Sequence, residues 1–360
     1  MSRHWITFLL LTLAAVVVLL LACGDDPVGP EPVTPKEYPI YFYSHYDDST
    51  GYPDDTPRFM SYNPYTDVVD TFMLPLIPTQ DLGISPDGQK LYVTTEDNVA
   101  IVDLKTRQLV GELPYPDVHN VETSMDGSRI ALLGKELWIL DAANYEVLYH
   151  DTDNVLKGTF SDDGKHFYCG RALEGGCVIT PDSTPQKVCR QFPTGIGFLV
   201  TWQFEAIQDG ARWLIYGLYA DERWLFSTYD PAVDSPLFVD PLVPGQGEFV
   251  VTPDNKLAFY NNPGGMIVIM PPTFEISICN LQTNTLVDRI STIHQIDSTS
   301  RDLIAADELC MTPDGKWLLA LTRFGQNTLI LINVETLTIE RYIELGGVPW
   351  LRGAVCQGRM

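Results

Sequence analysis

The sequence predicts an all-β fold, a wheel of seven small four-stranded sheets, and three observations predict it. The first is a tight-turn signal that recurs as Pro86-Asp87-Gly88, Met125-Asp126-Gly127, Asp162-Asp163-Gly164, Gln208-Asp209-Gly210, Pro253-Asp254-Asn255 and Pro313-Asp314-Gly315. Gly or Asn closes each, because such a turn needs positive φ. The second is an Asx turn at Asn63-Pro-Tyr-Thr66, Asp103-Leu-Lys-Thr106, Asp141-Ala-Ala-Asn144, Asn280-Leu-Gln-Thr283 and Asn333-Val-Glu-Thr336, with weaker copies beginning at Thr180 and Asp230. An Asx side chain that caps its own turn explains the residue choice. The third is the spacing of that Asx turn, about 40 to 50 residues, which is the period of four-stranded propeller blades.

Taken in order, residues 1–22 are a targeting segment. Arg3 supplies the positive charge, "ITFLLLTLAAVVVLLLA" the apolar stretch, and "LLAC" ends at Cys23. This resembles the bacterial lipoprotein signal, in which a small residue, here Ala22, precedes a cysteine that becomes lipidated and N-terminal. The other reading is an uncleaved membrane helix, for which the run is nearly long enough. Both tether the chain to a membrane outside the cytoplasm. "GDDPVGPEPVTPKE" (24–37) then reads, with the lipidated Cys23, as an extended Pro- and acid-rich spacer over 23–37.

From residue 38 the pattern is strand and turn up to 358. "KLYVTT", "NVAIVDL", "WLLALT" and "TLILINV" are rich in β-branched and aromatic residues and are apolar on successive positions. A blade is covered on both faces by its neighbours, so its inner strands should look like that, whereas outer strands such as "QLVGEL" mix in charge. The blades fall near 80–113, 119–151, 157–192, 201–242, 248–291 and 308–345, with blade 1 split between 38–74 and 349–358. Blade 1 begins at a second strand, and the C-terminal "WLRGAVCQGRM" matches only a first strand and its turn. The sequence therefore predicts a seven-bladed β-propeller closed by N- and C-terminal strands that share blade 1. An eighth blade hidden between Asn255 and Pro313 is the rival arrangement.

Leu91-Tyr92-Val93-Thr94-Thr95, after Pro86-Asp87-Gly88 and before Val99-Ala-Ile-Val-Asp103, resembles the YVTN-type β-propeller repeat, with Thr95 where that pattern has Asn. Later copies diverge, and blades 4 and 5 keep only the spacing. The resemblance implies architecture and says little about chemistry.

With strands lettered a to d from axis to rim, the a–b and c–d turns open on one face and are short. The b–c and d–a connections open on the other and hold the extensions: 44–57, 170–176, 261–273 and 291–307. A scaffold with plain turns on one side and elaborated loops on the other binds through the loops. Four residues before Ser85 and its counterparts lie Asp81, Asn120, Lys157, Gln203, Glu248 and Glu308, with Leu351 and Arg352 in blade 1. These should ring the mouth of the central channel. Asp81, Asn120, Glu248 and Glu308 are the candidate ligands there for a divalent metal such as Ca²⁺ or for a cationic ligand. The plainer alternative is a water-filled channel with a solvated rim. Tyr46, Asp47, Asp48, Tyr52, Asp54 and Asp55 are the candidate binding loop, although "DDSTGYPDD" lacks the spacing of an EF-hand.

A net charge of −24 argues against nucleic acid and anionic lipid as partners. The leading expectation is a non-catalytic envelope module that binds a protein, peptide or glycan. A metal-dependent lactonase-like or other hydrolase at the channel mouth is the alternative, without a G-x-S-x-G elbow or a C-x-x-C-H signature in the chain. A purely structural stalked spacer is a third. Six cysteines remain after Cys23; Cys177 and Cys189 flank "VITPDSTPQKV" as a cross-strand pair in a hairpin would, with Cys169 a competing partner for Cys177, so a disulfide there is one reading and free buried thiols the other.

Overall fold

The apolar run "LYVT" in blade 2 is buried at every residue from Leu91 to Thr94, and "LLALT" in blade 7 likewise from Leu318 to Thr322. A strand apolar on successive positions has two faces to cover. The computed structural model covers them by stacking sheet on sheet around an axis. It describes residues 38–44, 57–171, 175–182, 184–190, 198–208, 210–219, 224–240, 248–261, 274–295, 301–303, 306–322, 328–345 and 351–356. These contain strands and turns and no helix.

Among the described residues there are seven four-stranded antiparallel sheets, which is the seven-bladed propeller read from the sequence. Each is a meander with its first strand at the axis. The axial strands are Leu351–Cys356, Leu82–Ile84, Val118–Thr123, Gly158–Phe160, Phe198–Ile207, Phe249–Val251 and Ala306–Met311 for blades 1 to 7. In blade 1 the C-terminal strand pairs with Ile40–Ser44, setting Ile40 opposite Cys356, Tyr41 opposite Val355 and Ser44 opposite Leu351. The two ends of the propeller thus close the ring. One further sheet is a small hairpin, Ile293–Gln295 against Arg301–Leu303, inside the connection from blade 6 to blade 7. It adds no eighth blade; strands of this length carry too few residues to show a period.

Apolar clusters fill the interfaces between blades, one for each of the seven junctions. Tyr43, Phe59, Leu91 and Val93 join blades 1 and 2, and Ile40, Phe42, Leu319 and Leu331 join blades 7 and 1. The junctions between carry equivalent clusters. At the junction of blades 4 and 5, Gly176 leaves room for an indole: a Cβ there would stand 2.3 Å from the Trp213 ring. Outer strands are exposed, as in Gln108–Leu113, where Val110 is 58% accessible.

The turns are closed by their own side chains. Gly88, Gly127, Gly164, Gly210, Asn255 and Gly315 all have positive φ, as the a–b turn signal requires. The residue before each turn matters as much. The Ser124 hydroxyl donates to Asp126 Oδ1 at 2.6 Å and accepts from the Arg129 amide at 2.9 Å. Ser85, Ser161, Thr252 and Thr312 repeat this latch. At the c–d turns the Asx oxygens accept backbone amides, for example Asp103 Oδ1 from Thr106 at 2.6 Å and Asn333 Oδ1 from Glu335 at 3.0 Å. The next residue is then left-handed, at Asp67, Arg107, Tyr145, Asp234, Asn284 and Leu337. None of these is glycine; Asp67, Asp234 and Asn284 are types that tolerate the left-handed region, whereas Arg107, Tyr145 and Leu337 give no sign of it.

Ser124 is fully buried. Ser124→Ala should therefore leave the Arg129 amide and the Asp126 carboxylate short of a partner, costing about 1–3 kcal/mol. A lowered urea midpoint at unchanged m-value is the expected reading; an unchanged midpoint would show that the latch contributes nothing.

Candidate functional site

The axial strands are antiparallel to their neighbours, so all seven begin on the face shared by the b–c and d–a connections. At that end the predicted mouth residues do come together, but as stitches between blades. Asp81 Oδ2 accepts from Asn120 Nδ2 at 2.7 Å and from Lys157 Nζ at 2.5 Å, which ties blades 2, 3 and 4. Its Oδ1 accepts from the Leu82 amide at 2.9 Å. Gln203 spans blades 5 and 6 with both ends of its amide: Nε2 donates to the Phe249 carbonyl at 2.7 Å and Oε1 accepts from the Phe249 amide at 2.6 Å.

The remaining stitches follow the same logic. Asn261 Oδ1 accepts from the Glu248 amide at 2.7 Å while its Nδ2 donates to the Ala306 carbonyl at 3.1 Å, joining blades 6 and 7. Glu308 Oε2 accepts from the Ala354 amide at 2.9 Å, joining blades 7 and 1. The Tyr43 hydroxyl donates to the Gln80 carbonyl at 2.5 Å and joins blades 1 and 2. Such bonds satisfy polar groups that the apolar junctions below could not, although among the described residues Asn120 Oδ1 is buried without a hydrogen-bond partner.

One ammonium stands among the carboxylates of the mouth. The Lys157 and Asp81 side chains are 23% and 22% exposed. Burial alone would lower the Lys157 pKa; the carboxylates of Asp81, Glu248 and Glu122 outweigh it and push it above the usual lysine range. Lys157 is therefore an ammonium at every physiological pH, placed where the sequence suggested an external cation. Among the described residues no three His, Cys, Asp or Glu side chains come together in a metal-holding group. Asp81, Glu248 and Glu308 accordingly do not converge on one point.

Inside the ring lies a cavity of about 280 Å³, lined by the axial strands of blades 3 to 7 and by Ala354 and Val355 of blade 1. Lys157 and Gln203 line one end, and Met125, Asp162, Pro253 and Pro313 mark the other, at the a–b turns. Glu122, Thr159, Glu205 and Cys310 stand between. Asp81, Asn120, Glu248 and Glu308 are not part of the lining. Two residues beyond the mouth positions along a strand, side chains point to the same face, and in blades 3, 4, 5 and 7 that step reaches Glu122, Thr159, Glu205 and Cys310, lining residues that no motif marks.

The candidate loop, Tyr46, Asp47, Asp48, Tyr52, Asp54 and Asp55, lies outside the described residues, as do Cys23 and the whole of 1–37. Cys177 and Cys189 are disulfide-bonded, with Cα atoms 4.0 Å apart. Cys169, Cys279 and Cys310 are buried thiols.

No family model matches the chain. Over 115 residues, 31% of the chain, it is 33% identical to coatomer subunit alpha-1 of Arabidopsis thaliana, and the match takes in 9% of that protein's length. Among solved structures, apo AztD from Citrobacter koseri superposes with a TM-score of 0.61 at 12% identity, covering 89% of this chain and 97% of that one. The β-propeller domain of Myceliophteria thermophila Cps50 (Swd1) superposes with a TM-score of 0.57 at 11% identity, covering 74% and 87%. At these identities the likeness is one of fold.

The stitch at Asp81 can be tested directly. Lys157→Met removes the ammonium on which Asp81, Glu248 and Glu122 all act. It should cost about 2 kcal/mol, less than the roughly 3–5 expected of a fully buried pair, because both partners retain some exposure. Adding Asp81→Asn should recover part of the loss. Urea midpoints of the two single variants and the double variant decide it, and a neutral Lys157→Met would remove the ammonium from the account.

Proposed function

We propose that the chain is a membrane-tethered propeller of the cell envelope that acts as a non-catalytic binding module, capturing a protein, peptide or glycan on the face where the axial strands begin. A β-propeller fold is consistent with a binding or interaction module. The observation that carries the finer reading is the asymmetry of the connections. On one face every described a–b turn is short, and five of them are latched by a Ser or Thr and an Asp.

On the opposite face the long connections are 45–57, 262–274 and 292–305, whereas the extension expected at 170–176 is largely strand, with Gly170 paired to Gly176 and Arg171 to Gly175. The first belongs to blade 1, the second to blade 6, and the third runs from blade 6 to blade 7. Blade 7 packs on blade 1, so the three leave from consecutive blades and share one sector of the ring. Extra length concentrated on one sector, over a scaffold that needs none of it for closure, supports a recognition surface there. The net charge of −24 favours partners other than nucleic acid.

Support for a hydrolase at the channel mouth would require its carboxylates to be available to a metal or substrate. Asp81 and Glu308 are instead engaged with Lys157, Asn120 and the Ala354 amide. The tether rests on the N-terminal segment and Cys23, followed by the Pro- and acid-rich spacer.

Two experiments test this reading separately. Replacing residues 45–57 with a two-residue turn should abolish capture of envelope proteins or of ligands on a glycan array, while circular dichroism and thermal unfolding stay unchanged. Retained capture would move the binding surface elsewhere. Cys23→Ala should eliminate incorporation of a clickable palmitate analogue and leave the precursor unprocessed. Lipid labelling that persists in the variant would contradict the anchor.

A further inference from the structure

Blade 4 holds three cysteines in one row. Cys169 lies in strand b (Phe167–Arg171), Cys177 in strand c (Gly175–Thr180) and Cys189 in strand d (Gln186–Arg190). The register sets Cys169 directly opposite Cys177, and Cys177 directly opposite Cys189. Opposed residues of an antiparallel pair point to the same face, so the three sulfurs stand in line across three strands.

The pairing geometry makes both neighbours of Cys177 reachable. Its Cα lies 4.0 Å from that of Cys189, which marks the close, non-hydrogen-bonded kind of pair. A residue in a middle strand that is close-paired on one side is in the wider, hydrogen-bonded kind of pair on the other, about 5.5 Å between Cα atoms. That separation also lies within the span of a disulfide. The sequence alone left Cys169 and Cys189 as competing partners for Cys177, and the fold preserves that competition.

We propose that blade 4 is an internal thiol–disulfide exchange site that can deliver a reactive thiol at Cys189. The thiolate of Cys169 attacks Cys177 Sγ; the Cys169–Cys177 bond forms as the Cys177–Cys189 bond breaks, and Cys189 leaves as the thiolate. The proton lost from Cys169 goes to solvent, and Cys189 is protonated from solvent according to pH. One disulfide and one thiol exist before and after, so no oxidant or reductant is consumed. The register sets the attacking and leaving cysteines on opposite sides of Cys177, as displacement at its sulfur needs.

The consequence follows from burial. Cys169 and Cys177 are both 0% exposed, in the apolar cluster between blades 3 and 4. Cys189 sits in an outer strand that is exposed along its whole length, Gln186 to Arg190. Exchange therefore sinks the disulfide into the core and places a thiol at the rim, open to modification or to a partner's disulfide. It also removes the covalent staple from the outer strand, which keeps its ladder to strand c and the ion pairs of Lys187 with Asp151 and Asp153 at 3.1 and 3.0 Å.

Trypsin separates the three cysteines onto residues 166–171, 172–187 and 188–190, so the bridges can be read by mass spectrometry. Mature protein without added thiol is incubated between pH 6.5 and 8.5 with a maleimide, acid-quenched and mapped. The expected result is labelled Cys189 together with a 166–171/172–187 bridge, at a rate that rises about tenfold per pH unit below the attacking thiol's pKa and is independent of protein concentration. Cys169→Ser should abolish the labelling, and Cys189→Ser, which holds two thiols and is given diamide as the two-electron oxidant, should form a Cys169–Cys177 bridge even where Cys169→Ser folds poorly. Absence of that bridge in both wild type and Cys189→Ser overturns the proposal, as does Cys189 labelling that persists in Cys169→Ser.

Discussion

A four-stranded sheet whose inner strands are apolar on consecutive residues cannot leave either face in water, and this constraint organises the whole molecule. Two sheets alone would strand two outer faces. A closed ring strands none, and each of the seven junctions is filled by its own apolar cluster. Closure is also the weak point, because the axial strand of blade 1 comes from the far end of the chain. Pairing of Leu351–Cys356 with Ile40–Ser44 gives blade 1 its axial strand and makes the seam one more ordinary junction.

The apolar junctions leave the start of each axial strand to be stabilised by polar groups, and this determines what the channel mouth can be. Asn120, Gln203, Asn261 and Glu308 use their side chains to reach the next blade, and Lys157 reaches across two. A polar ring at such a mouth looks like a ligand site in a one-dimensional reading. In three dimensions Asp81, Asn120 and Lys157 are engaged with each other and Gln203 and Glu308 with the backbone of the neighbouring blade, while the open volume lies beneath them, around Glu122, Thr159 and Glu205. Recognition on the long-loop face would then be built on a ring already locked from within.

What the sequence revealed depended on whether the responsible residue was chemically distinctive. The a–b turns were legible because Gly88 and Asn255 advertise positive φ, and the c–d turns because Asp103 and Asn333 are natural caps. The left-handed residues after those caps were not, since Arg107 and Leu337 carry no such signal. Asp81, Asn120 and Lys157 share one strand position in the repeat, yet the ion pair of Asp81 with Lys157 joins blades two apart and residues 76 positions apart, and spacing alone does not show which members of a ring bond to which. Cys177 was seen to face two candidate partners, and the choice between them lay in strand register. The small hairpin at 293–303 was hidden by its length.

Hydrogen exchange across the seam tests closure most directly. Amides of Ile40–Ser44 should exchange as slowly as those of Lys90–Thr94, and a chain ending at residue 350 should lose that protection in blade 1 while distant blades keep theirs. Fast exchange of 40–44 in the intact protein, or protection that survives the truncation, would contradict a ring latched by its own C-terminal strand.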